Sequence, residues 1–154
     1  MQELNKNIFD CTDGWIVIPI NRDVNVKTPG KPVAIMGRGL AAQAAKNFRH
    51  LPCMLGEMLV RKTVNIYCFD YGGAKIICLP TKNSWADKTA SLTLIRIGCT
   101  RLLDVATSLY PQKFYLPRLG CGKGTGNLDW ERYVKPIMDE IFGDDERFIL
   151  VNWP

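Results

Sequence analysis

The chain has 154 residues, of which 47% are hydrophobic and 23% charged, with a net charge of +5. A chain of this length buries about 68–70% of its unfolded surface, so one domain over residues 1–154 is expected to fold without disulfides or a structural metal. No run nears the ~18 apolar residues of a membrane helix, and the opening MQELNKNIFD lacks the basic-then-apolar order of a signal peptide, so the expectation is a cytoplasmic protein with no membrane partner.

Short runs rich in β-branched and aromatic residues predict strands at 15–20, 65–69, 75–79, 113–116 and 148–151. Apolar residues at three-and-four spacing predict helices at 40–48, 92–109 and 130–142, the last with Asp129 as N-cap and Gly143 as stop. The Pro/Gly-rich VKTPGKPV at 26–33 reads as a surface loop, and His50 as the close of the first helix. Strands alternating with helices predict an α/β fold, a three-layer α/β/α sandwich around a mixed, mostly parallel sheet.

The six cysteines, Cys11, Cys53, Cys68, Cys78, Cys99 and Cys121, form no CxxC pair, and several lie in apolar runs. They read as buried thiols of a reducing compartment. With His50 as the sole histidine, no intrinsic metal site is expected, because structural zinc needs four clustered Cys or His ligands. The positive charge is dispersed and favours phosphate-containing ligands only in general terms.

Ligands of open α/β sheets sit beyond the carboxyl ends of the strands, and three segments follow predicted strands. The first is Pro19–Asn21 with the downstream turn Met36-Gly37-Arg38-Gly39-Leu40-Ala41-Ala42, the second Leu79-Pro80-Thr81-Lys82, and the third runs from Leu116 to Gly126. In the third, Gly120, Gly122, Gly124 and Gly126 free the backbone to turn its N–H groups onto an anion. The alternative for this segment is a flexible connector.

The third segment fails the P-loop pattern, since Gly124 follows Lys123 where Ser or Thr is needed. Gly37 to Ala42 does match a dinucleotide fingerprint, with Glu57 about 20 residues on, but it does not follow the first strand, which leaves a dehydrogenase as a minor alternative. Lys82, at a strand end, is either a solvated loop lysine or a partly desolvated nucleophile. Asn21 either caps a turn or exchanges hydrogen bonds with a sugar hydroxyl. Cys121 has no histidine near it in sequence and reads as a small loop residue.

In this order and spacing the segments resemble the macrodomain family, specifically the branch containing the terminal ADP-ribose glycohydrolase and the antitoxins that reverse DNA ADP-ribosylation. The resemblance covers nearly the whole chain, and the elements that carry it are LPRLGCG followed by LDWE, MGRGLAAQAAKNF and LPTK. The resemblance implies that Gly37, Arg38, Gly39, Leu40 and Ala41 grip the distal ribose and diphosphate, and that Leu119, Gly120, Cys121, Gly122, Lys123, Gly124 and Thr125 wrap the diphosphate from the other side. It implies that Asn21 lies near the distal ribose and that Lys82 attacks the anomeric carbon and is transiently linked to it.

Two positions depart from the family pattern. Asn7, before Ile8, stands where an aspartate accepts from the adenine amino group, and the loop after Gly122 has Lys123-Gly124-Thr125-Gly126-Asn127 where the glycohydrolase carries an acid. Asp129 is the next carboxylate, with a helix N-cap as its expected role.

The implied function is a hydrolase that binds ADP-ribose or a derivative and cleaves an ADP-ribosyl linkage on protein or nucleic acid, as a monomer and without a cofactor. An ADP-ribose 1″-phosphate phosphatase and a non-catalytic reader or sequestering protein are the alternatives.

Overall fold

The computed structural model describes residues 1–28, 30–61, 65–109 and 112–152. Among them the chain runs β1 (Gln2–Asn5), β2 (Gly14–Asn21), β3 (Val24–Thr28), β4 (Lys31–Ala34), α1 (Gly39–Asn47), α2 (Leu51–Leu59), β5 (Tyr67–Tyr71), β6 (Ala74–Lys82), α3 (Leu92–Ser108), β7 (Lys113–Leu116), α4 (Lys135–Phe142) and β8 (Phe148–Asn152). Six strands form one sheet in the order β1-β8-β7-β2-β6-β5. Every neighbouring pair is parallel except β5 with β6.

The sheet is mixed and mostly parallel and is covered on both faces, which is why its central strands are continuous apolar runs rather than alternating ones. Val17, Ile77, Leu79, Phe114 and Leu150 point to one face and pack with Ile95, Leu102 and Met138 of α3 and α4. Ile16, Ile18, Ile76, Cys78 and Ile149 point to the other and pack with Ala44, Leu51, Leu55 and Leu59 of α1 and α2. Burying each such leucine or isoleucine contributes about 1.5–3 kcal/mol, so the two cores fix the strand register.

The helix ends are set locally. Ser91 accepts from the Leu94 N–H at 3.2 Å and starts α3, while Gly143 at φ 53° stops α4. A π-helical turn at Trp130–Val134 precedes α4, capped by Asp129, whose Oδ1 accepts from the Arg132 N–H at 3.0 Å.

Several sequence expectations are corrected. The supposed loop at 26–33 is an antiparallel hairpin of β3 and β4, with Pro29 outside the described residues. The segment before the Gly37–Ala42 fingerprint is thus an outlying hairpin strand, not part of the main sheet. His50 does not close a helix but precedes α2, a helix of its own that starts with Pro52 in its first turn. Of the cysteines, Cys11, Cys78 and Cys99 are buried, whereas Cys53 and Cys68 are exposed. Among the described residues no helix is long and apolar enough to cross a membrane.

The hairpin is held where α2 presses on it: an added Cβ at Gly56 would stand 2.5 Å from the Pro32 carbonyl oxygen and 2.9 Å from the Ala34 nitrogen. In an open helix Gly→Ala gains about 1 kcal/mol. Here Gly56→Ala is expected to lose about 1–3 kcal/mol in denaturant unfolding, because backbone has to move.

Candidate functional site

The carboxyl ends of β1, β8, β7, β2 and β6 share one edge of the sheet, and a cavity of about 760 Å³ opens there. That is within the usual size of small-molecule sites. Each strand contributes to its wall: Asn7 and Ile8 follow β1, Val151 and Asn152 end β8, Pro117 and Arg118 follow β7, Pro19 to Asn21 end β2, and Thr81 and Lys82 end β6. The rest of the wall comes from Ile35, from Gly37 to Ala41 with Gln43, from Trp85, and from residues after Arg118 as far as Trp130.

Two sets of backbone amides border the cavity without acceptors. Helix α1 begins with no side-chain cap, and although the Ala42 N–H bonds the Arg38 carbonyl at 3.2 Å, those of Gly39, Leu40 and Ala41 meet no acceptor among the described residues. An uncapped helix start carries partial positive charge and is a ready anion site. Gly39 sits at φ 58°, and an added Cβ there would lie 3.3 Å from the Thr125 methyl, so the helix start and the loop face each other closely.

On the loop, the N–H groups of Thr125, Gly126 and Asn127 all bond the Gly122 carbonyl at 3.0–3.2 Å, and Leu128 bonds that of Gly120 at 3.0 Å. The Gly124 N–H bonds Asn127 Oδ1 at 2.8 Å. Among the described residues this leaves the N–H groups of Leu119, Gly120, Gly122 and Lys123 without acceptors, and of these Gly120 and Gly122 stand on the cavity wall. Gly120 stands at φ 72° with no room for a Cβ, which would lie 2.8 Å from the Ala90 methyl, and one at Gly126 would collide with the Gly120 carbonyl. These glycines permit the fold of the loop.

Side chains pin the loop over the cavity. Arg38 Nη1 donates to the Gly124 carbonyl at 3.2 Å, and Lys82 Nζ donates to the carbonyls of Thr125 at 2.9 Å and Trp85 at 3.2 Å. Trp85 is itself placed by its N–H bond to Asp23 Oδ2 at 2.8 Å. The amide of Asn21 is engaged at both ends, donating to the Ile35 carbonyl and accepting from the Asp23 N–H, each at 2.9 Å. Asn7 Oδ1 accepts from the Phe9 N–H at 3.0 Å.

The charge on the cavity wall is one-sided: Arg38, Lys82 and Arg118 line it, and among the described residues no aspartate or glutamate does. Asp129 is committed to its cap. Among the described residues no cluster of His, Cys, Asp or Glu could hold a metal ion.

Neither a family model nor a curated protein matches the chain. Solved structures do. The macrodomain of Mycobacterium tuberculosis DarG superposes with a TM-score of 0.79 at 23% identity, over 99% of this chain and 96% of that one. The macrodomain of Thermus aquaticus DarG gives 0.79 at 21% identity, over 99% and 97%. Thermosipho africanus DarTG, solved in complex with ADP-ribose, gives 0.78 at 18% identity, over 99% of this chain and 41% of the larger one.

This chain has the macrodomain fold. Within it, the cavity gathers Asn7, Ile8, Asn21, Gly37, Arg38, Gly39, Leu40, Ala41, Lys82, Gly120, Cys121, Gly122 and Thr125 from the residues singled out in the sequence. Leu119, Lys123 and Gly124 are not on its wall; the Leu119 side chain is wholly buried in the core under the loop. Sequence reasoning missed Gln43, Trp85, Trp130 and Asn152, of which Asn152 was reachable as the end of a strand.

Cys121, also on the macrodomain cavity wall, has its thiol pushed up to about 11, chiefly by burial, with the Arg118 guanidinium opposing. Its Sγ donates to the Leu119 carbonyl at 3.4 Å. Roughly one such thiol in ten thousand is ionised at pH 7, so burial disfavours the thiolate that a cysteine nucleophile needs. Mass-spectrometric iodoacetamide labelling should find Cys121 at least about 100-fold slower than free cysteine at pH 7, its rate rising about tenfold per pH unit towards 10. Labelling at the free-cysteine rate would contradict this.

Proposed function

We propose that this chain binds ADP-ribose or a close derivative and hydrolyses an ADP-ribosyl linkage, with Lys82 as the attacking group. The observation that carries the reading is the pairing of two unfilled amide sets, at the start of α1 and at Gly120 and Gly122, across a cavity that is lined among the described residues by three cations and no carboxylate. Such a cavity suits a diphosphate, which carries two adjoining anionic centres. Neighbouring solved structures include a DarTG complex with ADP-ribose, and the branch resemblance assigns the same ligand here.

A carboxylate pair is the usual equipment for glycoside cleavage, and the cavity has none among the described residues. Lys82 ends β6 on the wall, and its amine is the group there able to attack carbon. The attack would form a bond from Nζ to the anomeric carbon of the distal ribose as its bond to the acceptor oxygen breaks, the acceptor leaving with a proton; water then releases ADP-ribose and restores the amine.

A reader that binds without turnover is the second reading. It is favoured by the engagement of Lys82 Nζ with two carbonyls and of the Asn21 amide at both ends.

Calorimetric titration with ADP-ribose against ADP tests the ligand, and turnover assays on serine-, glutamate- and nucleotide-linked ADP-ribose and on the 1″-phosphate test the reaction. Lys82→Ala is expected to lower turnover by about a thousandfold or more while ADP-ribose still binds. A wild-type protein that binds and never turns over establishes the reader instead.

A further inference from the structure

Arg118 is the third cation on the cavity wall, and among the described residues, unlike those of Arg38 and Lys82, its side chain bonds no carbonyl of the loop. Its guanidinium stacks over the Trp130 ring at 5.3 Å from the centroid, and its Nε donates to Asn152 Oδ1 at 3.1 Å. Asn152 is oriented in turn, its Nδ2 donating to Glu3 Oε2 at 3.1 Å. The plane of the guanidinium is therefore fixed on one face and along one edge. Its two Nη groups have no acceptor, and it has no carboxylate partner, among the described residues. Planar, pre-oriented N–H donors of this kind match phosphate oxygens two at a time, and less entropy is lost in ordering them on binding.

The sheet order places this group along the ligand. With strands spaced about 4.8 Å, the ends of β1 and β6 lie roughly 19 Å apart, with β8, β7 and β2 between them. Ile8 and Val151 at the β1–β8 end offer an apolar surface for a base, beside the Asn7 amide. Lys82 is at the β6 end, and the start of α1 lies against β2. Arg118 follows β7 and leans towards β8 through Asn152, which puts it between the base and the diphosphate, where the nucleoside ribose falls.

A ribose with free hydroxyls needs only neutral partners. We propose that Arg118 forms a second anion subsite, and that the preferred ligand carries a phosphate on the adenosine ribose, at the 2′ or the 3′ hydroxyl. The inference rests on the ADP-ribose reading for the direction in which the ligand lies.

The test is the ratio of affinities, by calorimetry, for ADP-ribose 2′-phosphate over ADP-ribose, with the 3′-phosphate as a parallel arm. One of the two phosphorylated ligands is expected to bind about tenfold tighter than ADP-ribose or better, and Arg118→Gln to bring the ratio near one. Arg118→Lys, which keeps the charge and loses the fork, should restore only part of it. Equal or weaker binding of both phosphorylated ligands overturns the proposal, as does a preference that survives Arg118→Gln. The same comparison between 2′-phospho-ADP and ADP separates the two readings. A preference seen there, with no binding of ADP-ribose itself, would sink the ADP-ribose reading and uphold the subsite; equal affinities there, with ADP-ribose bound, would do the reverse.

Discussion

The Gly122 carbonyl accepts from the amides of Thr125, Gly126 and Asn127 and from the Thr125 hydroxyl, all within 3.0–3.2 Å, and the shape of the site follows from that convergence. It folds the loop back until Gly126 lies on the Gly120 carbonyl, a contact with no space for a Cβ. From Gly124 to Leu128 the loop's own donors are thereby consumed, and the unpartnered amides of the loop on the cavity wall are those of Gly120 and Gly122. The carbonyls of Gly124 and Thr125 are left for Arg38 and Lys82. A single crowded turn thus decides which amides are free for a ligand and ties the candidate nucleophile to the loop that covers it.

Electrostatics then select the ligand class. Backbone amides and three cationic side chains meet in a cavity without an opposing carboxylate among the described residues, and partial burial strengthens each such interaction relative to water. The nearest loop acid, Asp129, satisfies the start of the π-helical turn instead. Among the described residues, the charged side chains on the cavity wall are all cations.

Much of the fold was legible because the central strands are buried on both faces and leave unbroken apolar runs, as in WIVIPI of β2 and KIICL of β6. The misses have physical reasons. Strand β1, QELN, is an edge strand with mostly exposed side chains and shows no apolar run. The β3–β4 hairpin is rich in lysine and proline and pairs away from the main sheet. Helix α2 hides its period behind Pro52 and Gly56, the glycine being needed where the helix touches the hairpin. In the site, the carboxyl-end rule found the strand-end residues. Trp85 escaped it because it is held by a loop bonded to Asp23, more than sixty residues earlier. Leu119 was misplaced because its side chain turns from the motif into the core.

The central claim is that two unfilled amide sets hold a diphosphate between them, and amide chemical shifts measured by nuclear magnetic resonance during titration with ADP-ribose test it most directly. The account predicts that the largest shifts fall together on Gly39, Leu40, Ala41, Gly120 and Gly122, saturating at one ligand per chain. Saturable binding that shifts other amides and leaves these five unmoved would contradict it.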